Sequence, residues 1–148
     1  MNSPVEKNDN SKHAELTATI LGCAMEVSNS LGSGFLEAVY QQALFFALFD
    51  SGLVVETQKP MTVFYKNRAV GKYFADLLVE NKIVLELKAV KSLCPEHFAQ
   101  LNNYLKVSEL EVGLLLNFGN PRLEYHRVVR SQKPFRSEDG SVWKTEEQ

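Results

Sequence analysis

The chain has only two cysteines, Cys23 and Cys94, and they lack the partner spacing of a zinc site or a disulfide framework. Cys23 falls on the apolar side of a predicted helix, which points to core packing. No apolar run approaches the length of a membrane span, and the opening MNSPVEKNDNSK is polar rather than signal-like. Those absences make the cytoplasm the expected compartment and exclude a membrane partner. Excess positive charge is missing too: the formal net charge is −2, so no global basic signal points to nucleic acid. Internal repeats, heptads and low-complexity tracts are absent.

What is present is core material. With 148 residues and 45% hydrophobic content, one globular domain with a real core is expected. We place it at residues 13–130, between a disordered leader over residues 1–12 and a mobile tail from Ser131 onward, with Trp143 in that tail. The acidic excess lies at the two ends. Between the ends lie modest basic patches, Lys66, Arg68 and Lys72 around one turn and Arg122, Arg127, Arg130, Lys133 and Arg136 further on, which ordinary solvated surface explains equally well.

Periodicity predicts the elements. Leu16, Ile20, Cys23, Ala24, Val27 and Leu31 recur at helical spacing, and Gly32 stands where a helix end favours glycine. A second helix, Phe35 to Asp50, is apolar around most of its circumference and is expected to be largely buried, with Phe45 falling away from its main face. Leu53–Thr57, Met61–Tyr65, Val70–Val79 and Ile83–Ala89 read as four strands, with Lys59-Pro60 breaking the first from the second. Short turns between them imply an antiparallel meander. Pro95 opens a helix to Val107, and two strands follow, Glu111–Phe118 and Leu123–Val129.

The stretch from Tyr73 to Val90 holds the chemistry. Period-2 alternation sends Ala75, Leu77 and Val79 to one face of its first strand and Asp76 and Leu78 to the other. In the next strand Leu85, Leu87 and Ala89 share a face opposite Val84, Glu86 and Lys88. Buried charge is costly unless paired or bound to a metal, so two acids and a lysine on apolar strands need explaining. Taken alone, they are also explained by a half-exposed stripe in which Asp76 pairs with Lys88 across strands. Glu37 is a further acid, three residues from Tyr40 on the second helix, where the helix dipole alone would favour a carboxylate. On the third helix His97, Gln100 and Tyr104 fall together at spacings of three and four.

Asp76, then Glu86-x-Lys88 on the following strand, then a helix bearing Gln100-x-x-x-Tyr104, resembles the PD-(D/E)XK nuclease superfamily. Gly34-Phe35-Leu36-Glu37-Ala38-Val39-Tyr40 spells G-x-x-E-x-x-Y, and with ADLLVENKIVLELKAV and QLNNYLKV it resembles the small bacterial GxxExxY family placed there. The likeness spans roughly residues 13–130. Ala75 stands where the superfamily's name has proline, Ser33 where the family's G-P-G turn has proline, and Ser28 where many relatives carry histidine.

The resemblance implies an α+β fold with a restriction-endonuclease-like core, a mixed central sheet flanked by helices. It implies a nuclease hydrolysing phosphodiester bonds, with DNA favoured over RNA as substrate. It assigns Mg²⁺, with Mn²⁺ as a substitute, to Asp76, Glu86 and the Leu87 carbonyl. Lys88, Glu37, Gln100 and Tyr104 become catalytic candidates, with Tyr40 and His97 in support. The alternative is a catalytically silent module of the same fold that binds nucleic acid or a protein partner. A homodimer through Phe35, Phe45, Phe46 and Phe49 is a third expectation.

Overall fold

The computed structural model describes residues 12–130 and the backbone of Lys144 and Thr145. The expected leader lies almost wholly outside those residues, as does most of the expected tail, Trp143 included. Three helices, α1 (Ala14–Leu31), α2 (Glu37–Asp50) and α3 (Pro95–Ser108), flank a sheet of β1 (Val55–Tyr65), β2 (Arg68–Val79), β3 (Ile83–Lys88), β4 (Val112–Asn117) and β5 (Glu124–Val129). A two-residue β6 (Lys144–Thr145) pairs with Met61 and Thr62, and the sheet order is β5-β4-β3-β2-β1-β6. The sheet is mixed: β3 and β4 run parallel through the α3 crossover, and the other neighbours are antiparallel. This is the expected α+β class.

Two apolar layers hold the sheet between the helices. On one face, Ile20, Ala24 and Val27 of α1 and Tyr40, Leu44 and Leu48 of α2 pack on Leu77, Leu85, Leu87, Leu114 and Leu116. On the other, Leu101, Tyr104 and Leu105 of α3 pack on Met61, Leu78, Val84 and Leu115. A strand buried on both sides needs apolar residues at every position, which is why β4 reads VGLLLN without alternation. Just beyond β4, Gly119 lets the chain pass close to Val90, since a Cβ there would stand 2.1 Å from the Val90 carbonyl oxygen. Asn117 completes that junction: its side chain bonds both the N–H and the carbonyl of Val90.

The structure corrects four expectations. Lys59-Pro60 does not break a strand; β1 runs straight through it, so the meander has three strands rather than four. Proline lacks an N–H but is tolerated near a sheet edge, and among the described residues only the short β6 lies beyond β1. Nor is α2 largely buried. It sinks Tyr40, Leu44 and Leu48, while Phe46 stays 52% and Phe49 62% exposed, because the sheet covers only one side of the helix. Phe45 turns inward, packing against the core with its ring beside those of Phe46 and Phe49. The fourth correction concerns Ala75. It belongs with Leu78 on the α3 side, while Leu77 and Val79 face α1 and α2, so alternation in β2 breaks at Asp76.

Candidate active site

The break at Asp76 has a local cause. On the β1 side its opposite number, Gln58, has a left-handed backbone (φ 51°), and the pair drops out of the ladder between Thr57↔Leu77 and Lys59↔Ala75. On the β3 side the ladder ends at Leu77↔Leu85, one step short of a pairing between Asp76 and Glu86. Asp76 thus sits in a gap in both ladders, and irregularities of this kind re-aim a side chain. Its freed groups find other partners. The Asp76 carboxylate accepts the Leu87 N–H at 2.8 Å, its carbonyl accepts Gln41 Nε2 at 3.3 Å, and its own N–H serves the Glu86 carboxylate.

β3 keeps strict alternation, so Glu86 and Lys88 share the α3-facing side with Val84, as the sequence predicts. There they line a pocket of about 410 Å³ together with Gln100 and Tyr104 of α3 and Lys72, Tyr73 and Phe74 of β2. Lys88 Nζ donates to Gln100 Oε1 at 3.3 Å. Tyr104 is buried, and its hydroxyl reaches the Lys59 carbonyl at 3.3 Å, tying α3 to β1 at the back of the pocket.

Glu86 is only 8% exposed. Burial, and after it the negative charge of Asp76, push its pKa up to about 8, against the pull of Lys88 and the Asp76 N–H. Asp76 is also raised, first by burial and then by the Glu37 charge, with the Leu87 N–H and Lys88 opposing. Glu37 therefore acts on both acids from the exposed first turn of α2. Each carboxylate is short of positive charge, and one lysine does not make up the deficit.

The remaining candidates are placed elsewhere. Tyr40 is wholly buried between the helices and the sheet. Its hydroxyl donates to the Gly32 carbonyl at 2.6 Å and accepts the Phe35 N–H at 3.2 Å, and its ring stacks on Phe118 at 4.8 Å. It clasps the α1–α2 turn. His97 caps α3, its Nδ1 accepting the Cys94 N–H at 3.1 Å, and it does not line the pocket. Gln41, Lys72, Tyr73 and Phe74 are the site residues the sequence did not single out. The α2 position of Gln41, one turn after Glu37, was a signal for the first; the others lie on an edge hairpin whose position next to Glu86 only the register reveals.

A family model for the PD-(D/E)XK nuclease superfamily matches residues 14–128. The chain belongs to that superfamily. Among solved structures, the crystal structure of SSO0001 superposes with a TM-score of 0.52 at 20% identity, over 85% of this chain and 60% of that one. The superfamily member described here thus spans somewhat under two thirds of that neighbour's length, and the likeness at this identity is one of fold. No curated protein matches the sequence.

The superfamily's usual divalent metal can be tested against the residues present. Among the described residues no group of three or more His, Cys, Asp and Glu side chains converges. What comes together is an oxygen pair, Asp76 and Glu86, both with raised pKa: Glu86 lines the pocket and Asp76 holds the Leu87 N–H. A hard cation that binds through one or two carboxylates and otherwise keeps water or substrate oxygens fits this donor set.

Proposed function

We propose that this superfamily member is a Mg²⁺-dependent nuclease, with Mn²⁺ as a substitute, hydrolysing phosphodiester bonds of nucleic acid, DNA favoured over RNA, in the cytoplasm. The observation that carries the reading is the adjacent acid pair Asp76–Glu86, of which the buried Glu86 lines, with Lys88, a pocket large enough for a small ligand. Asp76, Glu86 and the Leu87 carbonyl would hold the cation. When bound, it would supply positive charge to the developing phosphorane and acidify water. The rest falls to the chain's own groups. Lys88, steadied by Gln100, would orient the attacking water or take up charge on the non-bridging oxygens. Glu37 would act as an outer carboxylate, and Tyr104 would fix the wall that carries Gln100.

The narrower assignment to the GxxExxY family is part of this proposal. Its motif residues have distinct physical tasks here: Tyr40 closes the turn that contains Gly34, and so sets the start of α2 from which Glu37 acts on the acid pair. We place the domain at residues 13–130 for the same reason, since the helices and strands that build the site all lie there.

Calorimetric titration of Mg²⁺ and Mn²⁺ into wild type and Asp76→Asn tests the proposal. Binding by wild type that the variant loses, followed by cleavage in a nucleic-acid screen, is the expected result. No divalent binding with or without nucleic acid would leave the second reading, a silent binding module. The exposed Phe46 and Phe49 on α2 favour that reading, as a face for a protein partner or a second copy.

A further inference from the structure

The outer part of the β1–β2 hairpin is left uncovered along β2. Every residue from Arg68 to Phe74 is exposed. Its tip is a tight turn in which Lys66 and Asn67 both have left-handed backbone (φ 47° and 64°), the geometry of a two-residue hairpin. Two features set this arm apart from ordinary solvated surface. From Thr57 to Ala75 the sequence has not one Asp or Glu; Lys66, Arg68 and Lys72 are exposed there, while Lys59 is paired with Glu56 at 3.1 Å. Interleaved with those cations are exposed aromatic rings, Tyr65 (53%), Phe74 (52%) and Tyr73.

The arm leads into the pocket. Tyr73 pairs across the strands with Met61, whose side chain is buried on the α3 side, so Tyr73 stands on the same side of the sheet as Glu86 and Lys88. Lys72, Tyr73 and Phe74 line the same pocket as those two residues. An aromatic ring beside a phosphodiester-cleaving centre has a stacking partner only when bases are unstacked, because a duplex keeps its base faces inside. Cations spaced among rings are what a flexible strand requires, phosphate contacts alternating with stacked bases.

We propose that the β1–β2 hairpin is a binding arm for single-stranded nucleic acid, delivering an unpaired segment to the Glu86–Lys88 pocket. The proposal names the substrate class of the reading above and rests on it for the direction of delivery, though the arm's binding does not depend on cleavage.

Fluorescence anisotropy in EDTA, where no cleavage occurs, tests it with labelled oligothymidylate, oligouridylate and a blunt DNA duplex. Single strands of either sugar should bind about tenfold or more tighter than the duplex, and Tyr73→Ala and Tyr65→Ala, both on the α3 side of the sheet, should each weaken single-strand binding roughly tenfold. Both variants should keep the wild-type melting temperature, since the rings are exposed. Arg68→Gln should flatten the dependence of affinity on salt. Duplex bound as tightly as single strand, or aromatic variants that bind single strands like wild type, would overturn the arm. The two readings fail separately: duplex cleavage with weak single-strand binding removes the arm and keeps the nuclease. Tight single-strand binding without divalent-dependent cleavage does the reverse.

Discussion

Asp76 and Leu87 are joined by a bond that replaces a rung of the sheet: the Asp76 carboxylate accepts the Leu87 N–H at 2.8 Å where the β2–β3 ladder has already ended. Asp76 thus has a structural task as well as its proposed ligand task, and two substitutions separate them. Asparagine keeps an oxygen for Leu87 and removes a charge that burial disfavours, so Asp76→Asn should fold with unchanged or raised stability and lose divalent binding. Alanine leaves the Leu87 N–H unmatched, and Asp76→Ala should cost about 1–3 kcal/mol in urea melts. Equal losses in both variants would mean that charge, not the hydrogen bond, holds the strands together.

Glu86 makes the metal-free protein sensitive to pH. Its folded pKa of about 8 lies above the ordinary value, and Asp76 moves in the same direction. Between the ordinary glutamate range and about pH 8 the folded state therefore holds more protons than the unfolded one. Stability should be greatest near the lower end of that window and fall as pH rises through it. Urea melts in EDTA across the window should show this slope, and Glu86→Gln should flatten most of it. A divalent ion competes with those same protons, so its apparent affinity should rise over the same range.

Much of this site was legible in the sequence because β3 is a regular strand. Alternation alone puts Glu86 and Lys88 together on one face, and helical spacing puts Gln100 and Tyr104 on one side of α3. The same rule fails at Asp76, where Ala75 and Leu78 end up on one side. The cause is a left-handed Gln58 on the neighbouring strand, and glutamine carries none of the local signal that glycine would. Composition misjudged α2 for a related reason. An apolar helix is buried only where there is something to bury it, and one sheet face accommodates Tyr40, Leu44 and Leu48 but not Phe46 and Phe49. Tyr40 and Glu37 are neighbours on a helix, yet one faces the core and the other the acids.

Lys88 and Gln100 should separate chemistry from binding. Lys88→Ala should retain Mn²⁺ binding, because the carboxylates remain, and lower the cleavage rate by roughly a hundredfold or more. Gln100→Ala leaves the ammonium in place but unsteadied, since the 3.3 Å contact is lost. It should reduce the rate by about tenfold with little change in substrate affinity, a loss in kcat rather than KM. Single-turnover assays on both variants check the split.

Tyr40 tests whether a motif tyrosine serves the site or the fold. Its hydroxyl holds the Gly32 carbonyl and the Phe35 N–H, and its ring meets Phe35 and Phe118 rather than Asp76 or Glu86. Tyr40→Phe keeps the stack on Phe118 and removes the clasp, so it should cost about 1–2 kcal/mol of stability. Divalent affinity should stay within about twofold of wild type, a change of under ~0.5 kcal/mol. Glu37→Gln, one helical turn earlier, should do the opposite and weaken the metal while leaving the melt unmoved. If Tyr40→Phe lowers metal affinity as much as Glu37→Gln does, the turn between α1 and α2 transmits directly to the acid pair, and the clasp belongs to the site.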